Sequence, residues 1–143
     1  MEIFVRSIIE QDAESVNKLS RQLGYVMRIE QTLANIKSVL ATKGHTAFVA
    51  IHENNIIGWI GVAEALQIES SPFCEIRGLV VDENYRGHGV GKLLIERVKQ
   101  WAKETGNNTL RLRTNMIRLE AHLFYRHVGF KEVKEQKVFE MNI

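Results

Sequence analysis

The chain has 143 residues, 45% hydrophobic and 25% charged, a composition typical of one ordinary globular domain. Its formal net charge of +2 is too small for a general polyanion binder. Cys74 is the only cysteine, which excludes an intrachain disulfide and fits a reducing cytoplasm. The sequence also has no cluster of cysteines and histidines of the kind that binds a metal, so no metal is expected. With no signal peptide and no apolar run near the roughly 18 residues of a membrane span, we expect a single cytoplasmic domain over residues 1–143.

Hydrophobic periodicity divides the first part of the chain into a strand, two helices and a hairpin. Residues 2–8 read as a strand, and the stretch 11–24 has the apolar spacing of a helix, with Asp12 as its N-cap. A second helix follows. Two strands, 46–51 and 56–63, are then joined across the short polar turn "HENN", which predicts a β-hairpin.

The second part alternates strands and helices. The patterns predict strands at 74–81, 109–114 and 137–142, with helices at about 89–104 and 118–129 between them. This order predicts an α/β fold: one central, mixed but mostly antiparallel sheet of six to seven strands, with helices on both faces.

The stretch "NYRGHGVG" (84–91) joins a buried strand to the start of a helix. The first turn of a helix has backbone N–H groups without internal partners and a partial positive charge. Glycines let an anion approach that backbone closely, and Arg86 adds a full charge. The stretch therefore predicts a phosphate-binding loop.

Two familiar nucleotide motifs do not fit this loop. A dinucleotide-binding G-x-G-x-x-G that begins at Gly87 and Gly89 would need a third glycine where Lys92 stands. A P-loop that ends in Gly91-Lys92 would need glycine at Arg86 and a hydroxyl residue after the lysine, where leucine stands.

The loop does match the pattern [QR]-x-x-G-x-[GA], as Arg86-Gly87-His88-Gly89-Val90-Gly91. With its flanks, "LVVDENYRGHGVGKLLI", it resembles the GNAT superfamily of N-acetyltransferases, in which this loop holds the pyrophosphate of coenzyme A. A second stretch, "AHLFYRHVGF" (121–130), resembles the family's second signature. The order of elements agrees with that of the family over nearly the whole chain.

The resemblance implies that an amine attacks the thioester of acetyl-CoA directly, with no metal. It also implies that the strand before the loop splays from its neighbour and binds the pantetheine arm through main-chain atoms, chiefly at Leu79 and Val81. Tyr125 matches the family's tyrosine that acts as general acid. The alternative is that Tyr125 has only a structural role, with its ring in the core and its hydroxyl in solvent. The resemblance also assigns cofactor binding to a set of positions in this sequence. These are Leu79, Val80, Val81, Arg86, Gly87, His88, Gly89, Val90, Gly91, Lys92, Asn115 and Tyr125.

Gly78 interrupts the side-chain pattern of the strand before the loop. Ile76 is apolar between two polar residues, but three apolar residues follow Gly78 in succession, so simple alternation breaks there. A glycine at such a break predicts a β-bulge or a close approach of another group.

The general base has two candidates. Glu75 lies on the strand that would line the active cleft and is preferred, and Glu64 at the end of the preceding strand competes with it. Cys74 could suggest an acyl-enzyme, but the sequence places no base for it. Arg118 stands where many relatives have asparagine, so Asn115, at the strand end, is kept as a candidate contact to cofactor or substrate.

The acceptor is expected to be a small-molecule amine, because the chain is little more than the family core. The segment 22–31 between the first two helices, with Tyr25, Met27 and Arg28, is the candidate acceptor wall. A protein amine and a non-catalytic acyl-CoA-binding domain remain alternatives. Nucleic-acid binding would need a basic face. Arg111 and Arg113 share a strand face and Arg118 is near them in sequence, but that face could simply meet solvent or the cofactor, so nucleic-acid binding is not expected. Dimers are frequent among relatives, so a homodimer is one assembly to test.

Overall fold

Helices and strands follow one another in the predicted order up to the last strand. The computed structural model describes residues 1–143, in two units, Met1–Arg113 and Thr114–Ile143. That one domain covers the whole chain stays a prediction. None of the helices is both long and apolar enough to cross a lipid bilayer. The elements are β1 (Phe4–Ser7), α1 (Ala13–Arg21), α2 (Ile29–Ala41), β2 (His45–His52), β3 (Asn55–Ala65), β4 (Phe73–Val81), α3 (Val90–Glu104), β5 (Leu110–Leu112) and, in the second unit, α4 (Leu119–His127).

The sheet of the first unit is mixed, as predicted. Its strands lie in the order β1-β2-β3-β4-β5, and every neighbouring pair is antiparallel except β4 and β5. A parallel pair needs a long crossover connection, and α3 supplies it. The predicted hairpin is also confirmed. Its two turn residues, Glu53 and Asn54, have φ of 49° and 65°, the positive values that a tight two-residue hairpin turn requires.

Helices cover both faces of this sheet, because neighbouring residues of a strand point to opposite sides. Ala47 and Val49 of β2 pack in one cluster with buried side chains of α1 and α2. Phe48, between them, lies on the other face, where the guanidinium of Arg97 from α3 sits 4.5 Å from its ring centroid. On the α3 side, a Cβ at Gly58 would lie 3.2–3.3 Å from side-chain atoms of Val90 and Leu94.

Asp12 precedes α1, but its side chain does not cap that helix. Arg6 donates two hydrogen bonds to the carboxylate, at 2.8 and 2.9 Å, and the backbone N–H of Ile9 donates a third, at 2.9 Å. Burial by itself would raise the pKa of Asp12, but the hydrogen bonds from Arg6 and Ile9 outweigh it and leave the pKa lowered. The carboxylate therefore ties β1 to the turn before α1.

The number of strands was predicted wrongly, since the sheet has five strands and not six or seven. The predicted strand at 137–142 is not one: no strand pairs with it, and Val138, Phe139 and Met141 are more than 80% exposed. A strand is defined by hydrogen bonds to a neighbour, and apolar residues in the sequence do not supply that neighbour. Val138 and Phe139 are adjacent, so they do not give the one-sided pattern that would fix a register.

Candidate active site

The glycine loop between β4 and α3 is built by backbone conformation and not by close packing. Gly87 and Gly89 have φ of +83° and +79°, a region that residues with a side chain rarely adopt. A Cβ at either position would meet no atom within 4 Å. The glycines are thus required by the path of the chain, and the space beside them is open to a ligand.

The loop leads directly into the first turn of α3. Gly89 is the N-cap residue, and Val90 and Gly91 begin the helix and are buried. The N–H groups of a first helical turn have no partner within the helix and attract anions. Arg86 and Lys92 are exposed on either side of them. The ring of His88 turns back on the loop, with Nδ1 3.2 Å from two backbone carbonyl oxygens.

The first residues of the loop are held by their own hydrogen bonds and by α1. Asp82 accepts a hydrogen bond from the N–H of Asn84 at 3.0 Å. Gln22, just after α1, accepts one from the N–H of Glu83 at 2.9 Å, and its amide nitrogen lies 3.4 Å from Asp82 Oδ1. The segment that follows α1 and the start of the loop are therefore directly connected.

The predicted irregularity in β4 is a β-bulge. Ile76 pairs with Val62 and Gly78 pairs with Gly61, so Arg77 is an extra residue without a partner on β3. On the other side, β5 pairs with β4 only from Cys74 to Ile76. From Arg77 to Val81 that edge has no partner strand, which confirms the expected splay. The N–H of Asp82 donates to the carbonyl of Ile57 on β3, so by alternation the main-chain groups of Val80 also face β3, and those of Leu79 and Val81 point to the edge without a partner strand. The sequence placed Val80 with Leu79 and Val81, but the register leaves only the latter two open to an extended ligand.

Gly78 itself is needed because of Trp59 on β3. A Cβ at Gly78 would lie 2.6 Å from the nearest ring atom of this tryptophan, closer than any real contact. The indole N–H of Trp59 donates a hydrogen bond to Ser20 of α1 at 3.2 Å. The ring therefore crosses the bulge and fixes α1 against the splayed part of the sheet.

Glu75, the preferred base, lies one residue before the paired edge ends. Its side chain is only 7% exposed, and two arginines contact it. Arg77 Nη1 lies 3.1 Å from one carboxylate oxygen, and Arg113 Nε lies 3.5 Å from the other. Arg111 of β5 pairs in register with Glu75, and its guanidinium covers the ring of Phe73 at 4.4 Å. Glu75 thus lies in a cluster of arginines.

Glu64, the competing base, lies on the opposite face of the sheet. It pairs in register with Cys74, whereas Glu75 pairs with Ala63, and residues paired across a ladder share a face. Its carboxylate accepts a hydrogen bond from Asn107 at 3.1 Å. On that face, burial raises the pKa of the Cys74 thiol, so the thiol is a poor nucleophile.

The two site residues predicted beyond Arg113 lie in the second unit. The side chain of Asn115 accepts a hydrogen bond from the N–H of Ile117 at 3.1 Å, which shapes the turn before α4. The ring of Tyr125 packs between Phe124 and Phe130, with centroids 5.4 and 5.9 Å away. Arg118 immediately precedes α4. The roles of Asn115, Arg118 and Tyr125 stay predictions.

The comparison with known proteins agrees with this geometry. The model of the acetyltransferase (GNAT) family matches residues 12–130. The chain belongs to the GNAT family. GNAT N-acetyltransferases are acyltransferases that use acetyl-CoA. The resemblance identified from the loop and the second signature is therefore confirmed.

Relatives within the GNAT family differ in length, and some are named for the compound that they acetylate. Human N-acetyltransferase 8 is 33% identical over 100 residues, which are 67% of this chain and 43% of that protein, so the chain spans less than half of it. The aminoglycoside N(6')-acetyltransferase type 1 of Serratia marcescens is 30% identical over 115 residues, 77% of this chain and 78% of that one. In structure, the aminoglycoside N-acetyltransferase AAC(6')-Iy in complex with CoA has a TM-score of 0.89 at 20% identity and covers 99% of this chain and 96% of its own.

The segment 22–31, predicted as the acceptor wall of this GNAT protein, is fixed by hydrogen bonds from a buried residue of α1. Asn17, buried in α1, donates hydrogen bonds to the carbonyl of Met27 at 2.8 Å and to Thr32 at 3.0 Å. Tyr25 and Met27 themselves are exposed. Nothing in the sequence indicated that Asn17 and Thr32 support this segment, because a lone polar residue in a helix carries no pattern.

The sequence placed Arg111 and Arg113 on one strand face but did not connect these arginines, or Arg77, with Glu75. Glu75 and Arg77 stand two apart on one strand, a spacing that places side chains on one face. Arg113 is 38 positions further along the chain than Glu75, and only the parallel pairing of β4 with β5 brings it near. The structure contains no group of three or more His, Cys, Asp or Glu side chains suited to hold a metal ion.

Proposed function

We propose that this protein is an N-acetyltransferase that moves the acetyl group of acetyl-CoA to the primary amine of a small molecule. The observation that carries the proposal is the open glycine loop at the start of α3, beside a strand edge that has no partner. One feature suits a pyrophosphate and the other suits an extended amide-containing arm. Few other ligands need both at once.

In this proposal the phosphates of acetyl-CoA lie against the backbone from Arg86 to Gly91. The pantetheine arm runs along the free edge of β4, where its amides pair with main-chain groups of Leu79 and Val81 in place of the missing strand, and Val80 lies between these two contacts. Lys92 and Asn115 are further contacts to the cofactor. A backbone N–H of β4 then donates to the oxyanion that forms at the thioester carbonyl.

The chemistry is a direct transfer. The amine, whose pKa is near 10, loses a proton to Glu75, directly or through water. Its lone pair attacks the thioester carbon and a tetrahedral intermediate forms. The nitrogen then loses a second proton to solvent, the carbon–sulfur bond breaks, and the amide and the thiolate result. Tyr125 acts as the acid that protonates the leaving thiolate. The buried, protonated thiol of Cys74 supports direct attack over an acyl-enzyme.

Support for a small-molecule acceptor comes from the relatives. The Serratia marcescens relative, of which the chain matches most of the length, is named for aminoglycosides, which are small amines. A protein amine is the alternative acceptor. We place the reaction in the cytoplasm, which the single cysteine supports, and a homodimer is the assembly to test by sedimentation.

The first experiment is a calorimetric titration with acetyl-CoA. We expect micromolar binding that the Gly89→Glu variant loses, because the new carboxylate would meet the phosphates. Gly106→Glu is the matched control: Gly106 has φ of +84° and no atom within 4 Å of a built Cβ, but it lies at the other end of α3. The proposal fails if acetyl-CoA does not bind, or if both variants weaken it equally.

The second experiment measures thiol release in the presence of a panel of amines. We expect turnover that falls in Tyr125→Phe, with the affinity for acetyl-CoA little changed. Turnover equal to that of the wild type would show that Tyr125 is not the acid. Binding of acetyl-CoA without turnover for any amine would instead favour a non-catalytic acyl-CoA-binding domain.

A further inference from the structure

The arginines at Glu75 have more donors than that carboxylate uses. Arg77 contacts it through Nη1 and Arg113 through Nε, and their side chains are 55% and 65% exposed. A guanidinium has five N–H donors in a planar fork that matches a carboxylate. Both arginines therefore have donors directed away from Glu75, and these are accessible.

Neutralising Glu75 does not require two arginines. At Asp12 a single arginine, Arg6, donates two hydrogen bonds of 2.8 and 2.9 Å to one buried carboxylate. At Glu75 each of two arginines makes one longer contact. Arg111 adds a third positive charge on the same face of the sheet. This part of the surface thus has an excess of positive charge beside the proposed base.

We propose that the acceptor amine carries a carboxylate, and that Arg77 and Arg113 bind it. The inference rests on the proposed function, because it assigns the acceptor of the same site. The acceptor carboxylate accepts hydrogen bonds from the free edges of the two guanidinium groups, and the acceptor nitrogen lies at Glu75. The substrate class is therefore an amino acid, and not a polycation.

The distances limit how far apart the two groups of the acceptor can be. A carboxylate bound to a guanidinium lies about 3 Å from its nitrogens, and the guanidinium of Arg77 is itself in contact with Glu75. The amine that donates to Glu75 is then separated from the carboxylate by only a few bonds, as in α- and β-amino acids. An aminoglycoside, with several ammonium groups, would be repelled by the three arginines.

The test compares amino acids with their carboxamides. The pair differs only in the charge of the carboxyl group, and the amine of the amide loses its proton more easily, which favours the amide in the chemical step. We expect kcat/KM to be about 10- to 100-fold higher for the acid, the effect of charge-assisted hydrogen bonds. Kanamycin serves as the polycationic amine and is expected to be the poorest acceptor.

The arginine variants link this preference to the site. In Arg77→Gln and Arg113→Gln we expect the ratio of acid to amide to fall toward one, while KM for acetyl-CoA stays unchanged. Arg77→Lys keeps a charge beside Glu75 but loses the fork, so it should retain the fold and lose most of the preference. Lys99→Gln, which removes an exposed charge on α3, is the control and should keep the ratio.

A titration of the acid and the amide into the protein saturated with coenzyme A separates this inference from the proposed function, because it needs no turnover. Arginine-dependent binding of the acid without acetyl transfer would support the inference and contradict the acetyltransferase activity. Turnover with amides or kanamycin at least as fast as with acids would overturn the inference alone. It is also overturned if the preference survives both Arg→Gln variants, if these variants weaken only acetyl-CoA, or if neither compound binds.

Discussion

Two buried carboxylates in the first unit have arginine partners, and they differ in how completely those partners are used. Asp12 is 4% exposed and takes three hydrogen bonds, two from one guanidinium and one from a backbone N–H. Glu75 is 6% exposed and has one contact from each of two guanidinium groups. The first arrangement is closed, since both oxygens of Asp12 are occupied by short bonds. The second leaves donors for another molecule.

This difference suggests how a structural ion pair can be distinguished from a binding site in a chain of this kind. A single bidentate arginine holds two segments together and needs no further partner. At Glu75 two arginines share one carboxylate, each through a single contact, and both side chains are more than half exposed. Such an arrangement keeps positive charge available at the surface. Burial alone does not separate the two cases, because both carboxylates are buried.

The largest expected effect is on catalysis. Glu75→Gln removes the proposed base, so kcat/KM should fall by about 100-fold or more, in the range of general base catalysis. The free energy of unfolding should change little, because the glutamine fills the same space and the arginines remain solvated. Thiol release and urea denaturation measure the two quantities. Glu64→Gln is the control, and loss of turnover in that variant instead would make Glu64 the base.

Asp12→Ala should lower the free energy of unfolding and leave catalysis unchanged, the reverse of Glu75→Gln. Among these substitutions it should have the largest effect on stability. It leaves Arg6 and the N–H of Ile9 without their acceptor, and the expected loss is about 2–3 kcal/mol, at the lower end for a buried pair because Arg6 is 40% exposed. Urea denaturation measures it. Activity per folded molecule should be unchanged, and a loss of activity in the folded variant would mean that this pair also supports the site.

The closed pair also predicts a pH dependence. The pKa of Asp12 is lowered on folding, so its contribution to stability is fully present above the unfolded value of about 3.9 and is lost as the pH falls through the folded value. The stability difference between the wild type and Asp12→Asn should therefore shrink as the pH is lowered from 6 to 2. A difference that stays constant over this range would contradict the assignment.

The smallest effect is expected for an ion pair with no buried partner. Lys99 and Glu96 lie 3.2 Å apart on α3, with both side chains about half exposed. Glu96→Gln should change the free energy of unfolding by no more than about 0.5 kcal/mol. A change as large as that of Asp12→Ala would show that exposure does not rank these pairs.

The sequence was most informative where the cause of the structure is local. The conformation of Gly87 and Gly89 depends only on a few neighbouring residues, so their spacing was enough to predict the loop. The bulge was also predictable, because the alternation of polar and apolar side chains in β4 breaks at Gly78. This break can be recognised from the residues of that one strand. What the sequence did not reveal was that the ring of Trp59 lies against this glycine.

The incorrect and the missed predictions concern contacts between different elements of the fold. Asp12 occupies the N-cap position of α1, as predicted, but its carboxylate accepts hydrogen bonds from Arg6 and from the N–H of Ile9 and does not cap the helix. Residues 137–142 contain apolar side chains that suit a strand, but no strand pairs with them. Arg77 and Arg113 meet at Glu75 only because a parallel strand returns after α3. Pairing of this kind depends on the tertiary fold and not on the local sequence.

The internal hydrogen bonds of the glycine loop have a consequence for affinity. The N–H of Tyr85 donates to the carbonyl of Asp82, and the side chain of Gln22 accepts a hydrogen bond from the N–H of the next residue, Glu83. Ordering one backbone residue costs about 1–2 kcal/mol of conformational entropy. A loop that is already ordered does not lose this entropy on association, so more of its contact energy is retained as binding free energy.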